Sequence, residues 1–146
     1  MKILIAVDGS DYTKHMLEYV AAEKTWLAAH SEVTVLTVVP ELPPHVRAYM
    51  NAADVRSYCE QEAATVLKPV RQFVWPEGWQ PKIAYKVGSP GSVIAGTAAA
   101  EGFDLIVMGS HGKTKLTTMV LGSVTAEVLA RCRVPVLILR PDAHER

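Results

Sequence analysis

The sequence predicts an α/β fold of three layers, with a five-stranded parallel sheet between two layers of helices. Three observations carry that expectation. Five short runs rich in branched aliphatics recur along the chain: KILIAV (2–7), EVTVLTVV (32–39), PKIAYKV (81–87), FDLIVM (103–108) and VPVLILR (134–140). Helical periodicity fills most of the sequence between them, so strands and helices alternate, which is the pattern of a parallel sheet covered on its faces. The first and fourth runs carry almost no internal charge, as strands buried on both sides require.

Each element has its own signals. The first helix begins after Ser10, a residue suited to capping, and Met16, Leu17, Val20, Ala21, Leu27 and Ala28 repeat at a three-four spacing. A second helix from about Ala52 sets Val55, Cys59, Ala63, Val66, Leu67 and Val70 on one stripe, with Pro69 predicting a kink or an early end. The third opens at SPGS, where Ser89 caps and Pro90 suits the first helical position, and stops at Gly102. The fourth runs from about Leu121 to Arg131. Pro135 cannot donate to a ladder, so the last strand is expected at a sheet edge. Segment 40–51, PELPPHVRAYMN, holds three prolines without periodicity and is expected to be a long connection, either a lid or a mobile loop.

Totals narrow the function classes. A chain of 146 residues is the length of one domain, here expected to span 1–146, and can bury roughly 70% of its unfolded surface. Fifteen basic residues balance fifteen acidic ones, so there is no general field for nucleic acid. The amino-terminal apolar run stops at Asp8, too short for a signal peptide's core, and no stretch approaches the roughly 20 apolar residues of a membrane span. A cytoplasmic protein is expected. The two cysteines, Cys59 and Cys132, form no CxxC pair and read as buried or idle thiols, and the five histidines show no metal-ligand spacing, so no metal site is expected.

The chemistry concentrates in 109–123, GSHGKTKLTTMVLGS. Its GKT is not a Walker loop, because that pattern needs glycine where Val107 stands. In an open parallel sheet ligands bind beyond the carboxyl ends of the strands, where connections diverge. The first strand ends in VDGS (7–10) and the fourth in MGSHG (108–112), so if these strands are neighbours Asp8 and Gly109 share one crevice. Gly109 and Gly112 are expected to free the backbone for positive φ and for close approach of amides to an anion. Gly122 and Ser123 stand where the fourth helix begins and its amides favour negative charge. His111 and Lys113 are candidates for a donor or charge at the rim. Asp8 suits a ribose hydroxyl or an adenine edge as hydrogen-bond acceptor. The tryptophans Trp26, Trp75 and Trp79 read as packing residues.

These residues resemble the universal stress protein family, whose nucleotide-binding members carry Gly-x-x-Gly, nine residues, then Gly-Ser or Gly-Thr. Gly109, Gly112, Gly122 and Ser123 match that spacing, as does VDGS after the first strand, and the similarity runs on through SVTAEVLARCRVPVLILR. The resemblance implies a Rossmann-like, adenine nucleotide alpha hydrolase-like fold with strand order 3-2-1-4-5. It implies ATP, AMP or ADP as ligand, with or without Mg²⁺. By match to the family, Asp8 lies near the nucleoside, Val38 meets adenine through its backbone, and Gly109, Gly112, Gly122, Ser123 and Val124 cradle the phosphates; Ala6, Val7, Met108 and Lys113 are expected among the nucleotide-binding residues as well. It further implies a homodimer through the last strand, 134–140. Lys115 departs from the glycine frequent in relatives, which bears on the path of the phosphate loop.

A general base and a second carboxylate for Mg²⁺ are both missing from these motifs, so at most slow ATP hydrolysis is expected of a regulatory or stress-response protein. Two other classes compete. An adenylating enzyme of the pyrophosphatase-loop kind would need SGGxDS where VDGSDY stands, and a nucleotide-free dimeric interaction module would not need the glycine pattern.

Overall fold

A computed structural model of the chain describes residues 1–23, 31–112 and 121–140. Five parallel strands form one sheet: β1 (Lys2–Ala6), β2 (Glu32–Val39), β3 (Lys82–Val87), β4 (Leu105–Gly109) and β5 (Val136–Leu139). Their order is β3-β2-β1-β4-β5, as expected. The chain adds strands outward from β1 to β3, then crosses back to place β4 on the other side of β1. The register there pairs Ile3, Leu4 and Ile5 with Leu105, Ile106 and Val107. The expected adjacency of the first and fourth strands therefore holds, and the connections diverge between them.

Helices α1 (Asp11–Ala22), α3 (Ala52–Gln72), α4 (Pro90–Ala100) and α5 (Ser123–Arg131) cover the sheet, and a single turn, α2 (Pro44–Arg47), lies within the connection from β2. Alternation along β1 makes the three layers. Ile3, Ile5 and Val7 pack with Met16, Leu17 and Val20 of α1 and Leu67 and Val70 of α3. Leu4 and Ala6 pack on the opposite face with Ile94 and Ala98 of α4 and Val128 of α5. Ile3, Leu4 and Ile5 are wholly excluded from solvent. Each such side chain contributes roughly 1.5–3 kcal/mol on burial, so the uncharged run at the amino end anchors both faces at once.

Three expectations are corrected. Pro69 does not end its helix: α3 continues to Gln72. Leu67 and Val70, on either side of it, are 2% and 0% exposed. Their combined burial matches or exceeds the roughly 3 kcal/mol that an interior proline costs. The connection after β2 is not devoid of structure, because Pro43 and Pro44 start the turn of α2 and Asn51 begins α3 with a reciprocal capping box to Asp54. The serines expected as caps stand at the N-cap positions of α1 and α4, yet neither Ser10 nor Ser89 makes a side-chain capping bond. Trp26, Leu27, Ala28, Lys113 and Lys115 lie outside the described residues.

Strand β5 is an edge, as Pro135 predicts. Ile106 N–H donates to Pro135 O and Ser110 N–H to Leu139 O, both at 2.9 Å. Alternation then points the backbone groups of Val136 and Ile138 away from β4. The opposite edge is β3, in which every residue but the half-buried Ile83 is exposed. Cys59 is buried and Cys132 half-buried, both as free thiols. Among the described residues no helix is long and apolar enough to cross a membrane.

Candidate functional site

The carboxyl ends of β1 and β4 open into a cavity of about 390 Å³. Ala6, Val7 and Asp8 line it from β1, and Met108, Gly109 and Gly112 from β4 and its following turn. Gly122, Ser123 and Val124 close the third side at the start of α5. Nine of the eleven residues expected at the site therefore meet around one space. Val38 does not line this cavity; it sits in β2 opposite Lys86 of β3 and packs partly against the core on the α4 face. Lys113 falls outside the described residues.

Backbone contacts draw the two halves of the glycine pattern together. Gly122 N–H donates to Ser110 O at 2.6 Å, and Thr125, in the first turn of α5, donates its hydroxyl to Gly109 O at 2.9 Å. A Cβ on Gly122 would lie 3.2 Å from His111 Cα and 3.3 Å from Ser110 O, both atoms of the opposing turn. A Cβ on Gly109 would lie 3.2 Å from His111 O and 3.3 Å from Tyr12 Cβ. Closeness, not handedness, therefore requires these glycines. The expectation of positive φ at Gly109 and Gly112 is incorrect: the left-handed glycines are Gly9, Gly78, Gly88 and Gly102. Gly9, at φ 77°, makes the sharp turn that carries the chain from β1 into α1.

Helix α5 begins with Gly122 as N-cap, which has no side chain to bond the free amides, and its first turn contains no acidic residue. The N–H groups of Ser123, Val124 and Thr125 have no carbonyl one turn earlier in the helix. These three residues line the cavity, so the positive end of the helix dipole lies at it, worth about 0.3–1 kcal/mol to an anion. Asp8 is the opposite in charge. Its Oδ1 accepts Ser10 N–H at 2.9 Å, which fixes the carboxylate at the mouth of β1. The cavity lining thus combines a carboxylate acceptor, Asp8, with the amino-terminal turn of α5.

His111 lines the cavity too. Its Nδ1 lies 3.0 Å from the hydroxyl of buried Ser110, and its ring lies 6.2 Å from that of Tyr12 at a 40° tilt. Ser10, Met16, Ile94 and Thr125 complete the lining without having been singled out as ligand contacts. Met16 belongs to the apolar stripe of α1 and Ile94 to the core beneath the largely apolar α4, and both look like core in the sequence; they become lining because the sheet's divergence opens beside them. Among the described residues no three His, Cys, Asp or Glu side chains gather to hold a metal ion. Asp8 is the one carboxylate among the described lining residues, so an ion entering with a nucleotide would rest mainly on phosphate oxygens and water.

The Universal stress protein family pattern matches residues 1–140. The chain belongs to that family. It is 31% identical to universal stress protein MJ0577 of Methanocaldococcus jannaschii, over 95% of this chain and 94% of the relative. A similar match of 31% joins it to universal stress protein YxiE of Bacillus subtilis, over 95% and 98% of the two chains. The solved structure of MJ0577 superposes with a TM-score of 0.74 over 97% of this chain and 96% of that one, at 32% identity. Two more distant structures share the fold: a universal stress protein in complex with cAMP, at 21% identity and TM-score 0.70 over 95% and 96% of the two chains, and an Arabidopsis thaliana family member with AMP bound, at 18%, 0.67, 99% and 94%.

Proposed function

We propose that this protein binds an adenine nucleotide, ATP foremost and AMP or ADP as alternatives, in the cavity between β1 and β4, and serves as a cytoplasmic regulatory or stress-response protein. The observation that carries the reading is the mixed chemistry of that cavity's lining: one carboxylate, Asp8, beside Gly112, together with Gly109, Gly122 and the start of α5, whose first turn carries no acidic residue. A ribose or adenine donor suits the carboxylate and a phosphate chain the start of α5, and Met16, Ile94 and Val124 add apolar lining. Family members whose structures hold cAMP and AMP add support. Hydrolysis is at most slow, since the described lining offers no second carboxylate to share a metal with Asp8.

The test is a melt with and without nucleotide. ATP at a hundredfold excess over its dissociation constant adds about 2.7 kcal/mol, which raises Tm by several degrees in a domain of this length. No shift with ATP, ADP or AMP would reject the reading. Mass analysis of the small molecule released on denaturing freshly purified protein identifies the ligand directly.

The same reading includes a homodimer through β5, because the outward N–H and C=O groups of Val136 and Ile138 offer an uncharged edge to a second copy. Ile138→Pro removes an outward donor while leaving the bonds to β4. Sedimentation should then convert a dimer to a monomer; a wild type already monomeric at high concentration would reject this part.

A further inference from the structure

The spacing of the glycine pattern suggests that Gly112 is small so that phosphate can approach. The contacts give a different reason. Its backbone is not left-handed, so an L-residue could adopt it, and what excludes a side chain is space. A Cβ built at 112 would stand 2.5 Å from Asp8 Oδ2 and 3.7 Å from its Cγ, and real Cβ atoms essentially never come that near. The other carboxylate oxygen, Oδ1, is held by Ser10 N–H, and Ser10 O in turn accepts Thr13 N–H at 3.0 Å. Asp8 is thus gripped from the α1 side and presses its second oxygen against Gly112. Gly122 differs: the three atoms nearest its missing Cβ are backbone atoms of His111, Ser110 and Gly112.

We infer that Gly112 is a positioning residue for Asp8, giving its carboxylate the seat from which it meets the nucleoside, so that the second glycine of the pattern governs nucleoside recognition as well as the phosphate loop. The inference rests on the nucleotide reading above for its binding consequence, but not for the contact itself. An alanine at 112 displaces the far end of a flexible side chain and not the backbone, so the chain still folds while the carboxylate leaves its place.

The experiment compares wild type, Gly112→Ala, Asp8→Ala, the double variant and Gly122→Ala, using adenosine and ATP as probes in calorimetric titration and a melt of each protein without ligand. Gly112→Ala should weaken adenosine by about tenfold or more, the loss of one hydrogen bond to a charged group. Asp8→Ala should do the same, and the double variant should be no weaker than Asp8→Ala alone. Gly122→Ala should weaken ATP yet leave adenosine within about twofold. Without ligand, Gly112→Ala should lower Tm when Asp8 is present and not when it is alanine. The inference is overturned if Gly112→Ala binds adenosine as wild type does, or if the two substitutions act independently in the melts. If wild type binds neither probe, the nucleotide reading fails, and the melts alone decide whether Gly112 seats Asp8.

Discussion

Replacing Gly91 by alanine should destabilise the fold, although alanine is the better helix former. Gly91 lies in the first turn of α4 and is buried against α5. A Cβ there would stand 2.5 Å from Glu127 Oε2, 2.6 Å from its Cδ and 2.7 Å from its Cβ. The carboxylate end, which also pairs with Arg131 at 3.0 Å, can swing aside. Glu127 Cβ cannot, because the backbone of α5 fixes it, so the helices must separate. Such overpacking costs about 1–3 kcal/mol, against a helix-propensity gain of about 0.5–1 kcal/mol. The net loss is about 1–2 kcal/mol. Unfolding entropy near 2.1 cal/mol/K per residue gives about 0.3 kcal/mol/K for a chain of this length, so Tm should fall by about 3–7 °C. Gly96 supplies the control within the same helix: it is exposed, and nothing lies within 4 Å of its missing Cβ. Gly96→Ala should therefore raise Tm by about 2–3 °C. Differential scanning calorimetry of both variants checks the pair. Shifts of the same sign, or no fall for Gly91→Ala, would refute the close-packing argument.

Thr125→Val removes the bond to Gly109 O; it should cost about 1 kcal/mol in chemical denaturation and weaken ATP, because the turn after β4 loses its tie to α5. Gly102 has φ 68° and open space around its missing Cβ, so Gly102→Ala should lose about 1–2 kcal/mol through backbone strain alone, read as a lower denaturation midpoint. Asn51→Ala breaks the capping box of α3 and should cost about 1 kcal/mol by the same assay, with nucleotide affinity unchanged.

Much of the fold was legible because β1 and β4 are buried on both faces and therefore spell continuous apolar runs, while the helices carry stripes. The edge position of β5 followed from one proline. The fate of Pro69 was not legible, since its local cost is visible in sequence and the burial of Leu67 and Val70 that offsets it is tertiary. The glycines show the same limit at the site. Their spacing brought them to one cavity, but positive φ was the wrong reason at Gly109 and Gly112: a close approach to His111, Tyr12 or Asp8 leaves no mark in a chain where Gly112 and Asp8 stand about a hundred residues apart. Gly91 likewise passes unnoticed in SPGS, read only as a helix start, and proves to be a point of contact between α4 and α5. Met16 and Ile94 escaped notice because a residue lining a crevice and a residue filling a core look identical as letters.

The two borders of the sheet are chemically unequal. Strand β3 carries Lys82 and Lys86, and Lys86 is tied to Thr97 of α4 and to Glu101 just past its end, whereas Val136–Leu139 contains no charge. Cationic side chains along a border discourage another chain from extending the ladder there. A self-complementary contact through β5, as proposed above, would use up the permissive border of both copies and leave a lysine-bearing border at each outer end, so association through the sheet would terminate at two and not propagate into a fibre.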